Sequence, residues 1–191
     1  WMRSRPPSWK PVICHLCVVR LAQLEAFDPD LKSVEATRSR VEYYFTCSPC
    51  LPRYLMATES ISEVTYLDSD LWFFSSPEQM FDELASDSVA IVPHRFSNSA
   101  AHTHAKHGLY NVGWLTFRND ANGHACLEWW RSKCIEWCYD RVEPERYADQ
   151  KYLDYFEARF QGIHPITHPG ANLAPWNVAG HTVTQSKDDV L

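Results

Sequence analysis

Two apolar runs separated by an acidic pair dominate the hydropathy pattern: Val64-Thr65-Tyr66-Leu67, then Asp68-Ser69-Asp70, then Leu71-Trp72-Phe73-Phe74. The first run is short, β-branched and aromatic, and it predicts a buried strand. Asp68 and Asp70 then fall at its carboxyl end, where open α/β sheets bind ligands. Ser76-Pro77-Glu78-Gln79 predicts a helix start with a capping box and Pro at the first helical position, and Met80, Phe81 and Leu84 supply the buried face. Residues 89–92 predict a second strand, 96–108 a polar loop, 110–117 a third strand, and 120–139 the clearest helix, with Leu127, Trp130, Cys134 and Trp137 on one face. A shorter helix over 148–156 and a last strand over 163–167 follow. Upstream, residues 18–21 read as a short strand. Asp28-Pro29 is a helix start, and helix runs from 31 to 45, breaks and restarts at Ser48-Pro49, and continues to about residue 57. Alternating strands and helices predict an α/β domain with a mostly parallel sheet flanked by helices over residues 18–178, between a loosely ordered head, 1–17, and a polar tail, 179–191.

At 191 residues the chain fits one domain, and 45% apolar residues with 8 Trp, 9 Tyr and 9 Phe are enough for a real core. The net charge of −6 argues against a nucleic-acid partner, because no basic stripe would neutralise phosphates. No apolar run is long enough for a transmembrane segment. The apolar stretch 12–21 is short and carries His15 and Arg20, so it does not read as a secretory signal. Seven cysteines without such a signal imply reduced thiols and a cytoplasmic location, with Cys126, Cys134 and Cys138 as small core residues.

The D-x-D pair carries the sharpest chemistry. On extended backbone its two carboxylates point the same way. Two like charges at a buried sheet edge are costly unless a cation sits between them. Mg²⁺ or Mn²⁺ carrying a diphosphate meets that need, and two solvated turn aspartates are the plain alternative. C-x-x-C occurs twice, at Cys14/Cys17 and Cys47/Cys50, a zinc-ribbon pattern on paper. Cys47 and Cys50 at a helix start also suit thiol redox chemistry, although buried thiol pairs are the simpler reading. His102, His104 and His107 could bind a metal or stand in solvent. Asn111 and Gly113 are odd inside a strand, and a strand Gly often marks close approach of a ligand or backbone.

The D-x-D is similar to that of haloacid-dehalogenase phosphatases, but Trp72 stands where Thr or Val is needed and no later acidic pair matches. A fuller pattern is Tyr66-Leu67-Asp68-Ser69-Asp70, Asn111-Val112-Gly113, Asp149-Gln150, His168-Pro169-Gly170 and Pro175-Trp176. In that order it resembles GT-A glycosyltransferases, especially the bacterial nucleotide-diphospho-sugar transferases similar to family 8. The resemblance implies a GT-A fold and a metal-dependent hexosyltransferase-like enzyme that moves a sugar from a nucleotide-diphosphate donor to a saccharide, lipid or protein acceptor. It implies Mn²⁺ or Mg²⁺ on Asp68, Asp70 and His168, and backbone approach to phosphate at Gly170. Asn111 and Gly113 would line the sugar pocket, Asp149 and Gln150 would face sugar or acceptor as the catalytic pair, Trp176 would border the substrate, and Arg38 would meet phosphate or sugar. Ala174 stands where family 8 usually has Lys, and residues 1–17 do not resemble the opening β-α-β that binds the base. The chain is therefore expected to lack that N-terminal nucleotide-binding segment. A catalytically inactive GT-A remnant acting as a binding or scaffold module is the second reading, and a zinc-ribbon interaction domain the third.

Overall fold

The computed structural model describes residues 17–97 and 102–182. Most of the predicted head, Cys14 included, and the tail beyond residue 182 lie outside the described residues. The chain opens with two short helices, α1 (Leu21–Phe27) and α2 (Pro29–Val34), followed by the long α3 (Arg40–Thr58). The expected strand over 18–21 is absent: Val18 is exposed, and Leu24 instead buries against α3 from a helix that begins at Leu21. A reciprocal capping box opens α3, with the Glu42 amide donating to Ser39 Oγ and the Ser39 amide to Glu42 Oε2. The expected break at Ser48-Pro49 does not occur. The helix runs through Pro49 and Pro52, both buried, because packing offsets the two missing backbone bonds.

The sheet holds β1 (Glu63–Leu67), β2 (Val89–Pro93), β3 (Tyr110–Arg118) and β4 (Ile163–Pro165) in the order β1-β3-β2-β4. β3 pairs antiparallel with both β1 and β2, and only β2 and β4 pair in parallel. The domain is α/β with helices flanking the sheet, but the sheet is mixed rather than mostly parallel. The reason is local. Helix α4 (Glu78–Leu84) carries the chain from β1 to a strand of the same direction, β2, as a crossover should. After β2, among the described residues, the one-turn α5 (His104–His107) precedes β3, which returns antiparallel and slots between β1 and β2.

Helix α6 (Ala121–Glu136) is N-capped by Asp120, which accepts from the Gly123 amide at 2.8 Å. Its Leu127, Trp130 and Cys134 pack with Phe117, Leu115 and Phe156 in the main core. The shorter helix expected over 148–156 is a 3₁₀ stretch, Lys151–Tyr155, running into α7 (Phe156–Arg159). No helix among the described residues is long and apolar enough to cross a membrane.

One buried ion pair joins the first and second halves. Asp28 is 1% exposed, and it N-caps α2 through the Leu31 amide. Arg131 of α6 grips it, with Nε on Oδ2 at 2.7 Å and Nη2 on Oδ1, and Nη2 also reaches Asp30 at 2.8 Å. Burial alone would raise the Asp28 carboxyl, but the hydrogen bonds and charge of Arg131 hold it below the ordinary range. Without Arg131 the buried Asp28 keeps only the longer contact to Arg53, at 3.6 Å, so Arg131→Ala should lower unfolding free energy by up to about 3–5 kcal/mol in urea titration at pH 7. Because the folded pKa is depressed, this contribution is full above the ordinary carboxylate pKa and fades as pH falls through the lowered value. The variant should therefore lose part of the wild-type acid sensitivity below about pH 4.

Candidate functional site

β1 ends at Leu67, and Asp68 follows directly, its amide donating to the Gly113 carbonyl at 3.1 Å. β3 is irregular at this point. On the β2 side Ile91 pairs with Leu115, but Val92 pairs with Asn111. Residues 112–114 are thus extra on β3, a bulge that re-aims side chains where ladder pairing breaks. The Asn111 side chain fills the gap. Its Oδ1 accepts from the Gly113 amide at 2.8 Å, and its Nδ2 donates to Gln150 Oε1 at 3.1 Å. Gln150 Nε2 in turn donates to the His107 carbonyl at 2.9 Å. A β-carbon on Gly113 would stand 2.6 Å from Asn111 Oδ1 and 3.6 Å from Asp68 Oδ2, so only Gly fits.

These elements surround a cavity of about 520 Å³. Asp68, Asn111, Asp149, Gln150 and Trp176 all line it, five of the residues singled out from the sequence, drawn from four separate stretches. Gly113 sits behind its wall, beside Asp68 Oδ2 and Asn172 Oδ1. At the acidic end the Tyr66 hydroxyl donates to Asp68 Oδ1 at 3.0 Å, and the Ser48 hydroxyl to Tyr66 at 3.4 Å. Burial raises the Asp68 carboxyl, the Tyr66 hydrogen bond works against it, and the charge of Asp70 adds to the rise. Asp149 is 4% exposed, and burial pushes its carboxyl up to about 7, opposed by a hydrogen bond from Ser48 and helped by the charge of Asp68. The residue before it, Ala148, has φ 47°, a left-handed conformation costly for a residue with a β-carbon.

Asp70 lies in the turn after Asp68 and is exposed, so the backbone of the D-x-D does not stay extended. His168 and Gly170 sit in the segment 166–177, which has no regular structure and is held by three side chains. Glu83 of α4 accepts from the Thr167 amide and hydroxyl and the His168 amide at 2.6–2.8 Å. Arg95 donates to the Ile166 and Ala171 carbonyls, and Asn177 to the His94 and Asn172 carbonyls. The Gly170 amide donates to His168 Nδ1 at 3.2 Å, which leaves the ring proton on Nε2. Among the described residues no group of three or more His, Cys, Asp or Glu is arranged to hold a metal ion. Asp68 and Asp70 suit a hard cation as neighbouring oxygen donors. His168 would have to give up its Gly170 bond or shift its proton to join them through the ring.

Arg38 lies outside the cavity. It stacks 4.1 Å over the Tyr139 ring and donates to the Ile135 carbonyl near the end of α6. Cys47 is in mid-α3 rather than at a helix start, and burial pushes its thiol up to about 12, away from thiolate chemistry. His107 lines the cavity, His104 packs edge-on to Phe96, and His102 is exposed. Sequence reasoning missed Ser48, Tyr66 and His94 as cavity residues. His94 directly follows β2, so the strand-end rule that marked Asp68 also marks it; Ser48, inside a helix, carries no signal.

Two curated proteins of Bacillus subtilis (strain 168) are similar to this chain. Uncharacterized protein YfnF is 33% identical over 159 residues, covering 80% of this chain and 52% of its own length. Uncharacterized protein YfnD is 31% identical over 174 residues, covering 90% and 55%. The chain thus spans about half the length of the curated relatives it matches. No family model and no solved structure matches it.

Two outcomes follow from the cavity. A carboxyl whose folded pKa is raised from 3.8 to about 7 costs stability as pH climbs between those values. Asp149→Asn should therefore flatten that slope, raising Tm at about pH 8 while leaving it near the wild type at about pH 4. Gly113→Ala should displace Asn111 and lower Tm; an unchanged melting curve would mean that the β3 bulge is not held by this close approach.

Proposed function

We propose that this chain carries the donor site of a metal-dependent glycosyltransferase of GT-A type, which moves a sugar from a nucleotide-diphosphate donor to a saccharide, lipid or protein acceptor. The observation that carries the reading is the convergence of Asp68, Asn111, Asp149, Gln150 and Trp176 on one cavity. Asp68 and Asp70 are the residues to hold Mn²⁺ or Mg²⁺ on the donor diphosphate, with His168 and Gly170 on the neighbouring loop. When bound, such a cation supplies positive charge against the charge that develops on the departing nucleoside diphosphate. Asn111 and Gln150 spend their amides on one another, on Gly113 and on His107, so they fix the shape of the floor rather than grip the sugar. Trp176 offers a ring to the apolar face of a sugar. Asp149, the most deeply buried carboxyl on the lining, is the residue to face the sugar or the acceptor.

A second reading, a GT-A remnant that binds without transferring, is favoured by one observation. The third expected ligand, His168, is engaged with Gly170, and no three-ligand set is assembled among the described residues.

Thermal unfolding with Mn²⁺ and a panel of nucleoside diphosphates tests the donor site. A ligand at a hundredfold excess over Kd stabilises the folded state by about 2.7 kcal/mol. The expected result is a metal-dependent rise in Tm for one nucleotide, lost in Asp68→Asn and Asp70→Ala. No shift with any nucleotide would overturn the donor site, and a shift without sugar release from the matching nucleotide sugar would favour the remnant.

A further inference from the structure

The cavity holds two carboxyls and no cation to neutralise them. None of its described lining residues is Lys or Arg. The basic groups of the neighbouring elements are spent elsewhere: Lys151 on the Ala105 carbonyl, Arg146 on Glu143, and Arg38 on Ile135 and the Tyr139 ring. One Asp68 oxygen takes the Tyr66 hydroxyl, and Asp149 has the Ser48 hydroxyl for company, a neutral donor in both cases. Six aromatic rings, those of Tyr44, Phe45, Tyr66, Phe96, Tyr147 and Trp176, border the same space. His94, 3% exposed, also borders the space and stacks on Phe96.

That combination selects among ligand chemistries. An anionic group would meet like charge at Asp149 and Asp68. A neutral hydroxyl would satisfy hydrogen bonds but supply no counter-charge, so burial would still hold the Asp149 carboxyl high. A protonated amine satisfies both needs, since it carries three donors and a full positive charge, and aromatic faces attract it further. A cation on the D-x-D pair would answer Asp68 but not Asp149, which lies deeper.

We propose that this cavity seats the protonated amine of an amino sugar, with the ammonium against Asp149 and the ring against the aromatic wall. The identification of the amine's carrier as a sugar rests on the donor-site reading above; the preference for a cation rests on the cavity alone.

Ligand-observed NMR on the whole chain, without metal, compares glucosamine, glucose and N-acetylglucosamine. Glucosamine should bind at least about tenfold more tightly than glucose, with N-acetylglucosamine no better than glucose. Asp149→Asn, with its fold checked by circular dichroism, should erase the preference. Equal binding of glucosamine and glucose, binding of neither, or a preference that survives in folded Asp149→Asn would each overturn the proposal. Should the variant fail to fold, the wild-type comparison still decides. Nucleoside diphosphate with Mn²⁺, run on the same samples, separates the two ideas. Metal-dependent nucleotide binding without amine preference leaves the donor site standing and sinks the amine. Amine preference without nucleotide binding does the reverse.

Discussion

The return of β3 between β1 and β2 is the constraint on which the candidate site depends. β3 must pair on both edges, yet it carries three more residues than the β2 ladder can match, so the surplus collects at Val112-Gly113-Trp114. The bulge coincides with the end of β1, and the amide of Asp68 is tied to its backbone. Asn111 closes it with a side chain where a neighbouring strand would have used backbone, and Gln150 locks Asn111 from the far side. The cavity floor is thus one hydrogen-bonded unit built from strand, loop and 3₁₀ segment, and a side chain at Gly113 would strike it at Asn111.

A second layer of order comes from outside the sheet. The segment 166–177 has little backbone pairing of its own, apart from the Ile166 amide on the Ile91 carbonyl, the Ser97 amide on the Trp176 carbonyl and local turns. Glu83, Arg95 and Asn177 replace that missing ladder with side chains, and Glu83 sits on the helix that follows the D-x-D turn. The two ends of the candidate donor site therefore share one carboxylate as a brace. Between them the run Trp72-Phe73-Phe74 stands in solvent, with Trp72 78% exposed and Phe73 edge-on to Trp114.

What the sequence made legible was local. Period-two and period-3.6 patterns located β1, β2, β3 and α6, and Asp28 and Asp120 marked helix starts that their side chains do cap. Strand direction was not legible, because alternation of elements says nothing about which strands become neighbours, and β3 came back antiparallel between β1 and β2. Pro49 misled in the other direction, since tertiary burial overrode its local cost in α3. Within the site, residues named for their type at strand and turn ends, Asp68, Asn111, Asp149 and Gln150, came together. Arg38 did not, because a guanidinium finds a carbonyl and an aromatic ring as readily as a phosphate.

The Asp28–Arg131 pair has a consequence for the order of events in folding. Its partners are 103 residues apart, whereas a second guanidinium, Arg53 of α3, lies 3.6 Å from the same carboxylate and much nearer in the chain. Arg53 can meet Asp28 while α1 and α2 pack on α3, and Arg131 then closes the buried pair. The pair thus ties a helical unit that packs locally, α1 to α3, to the later helix α6 through one long-range contact, the kind that forms slowly.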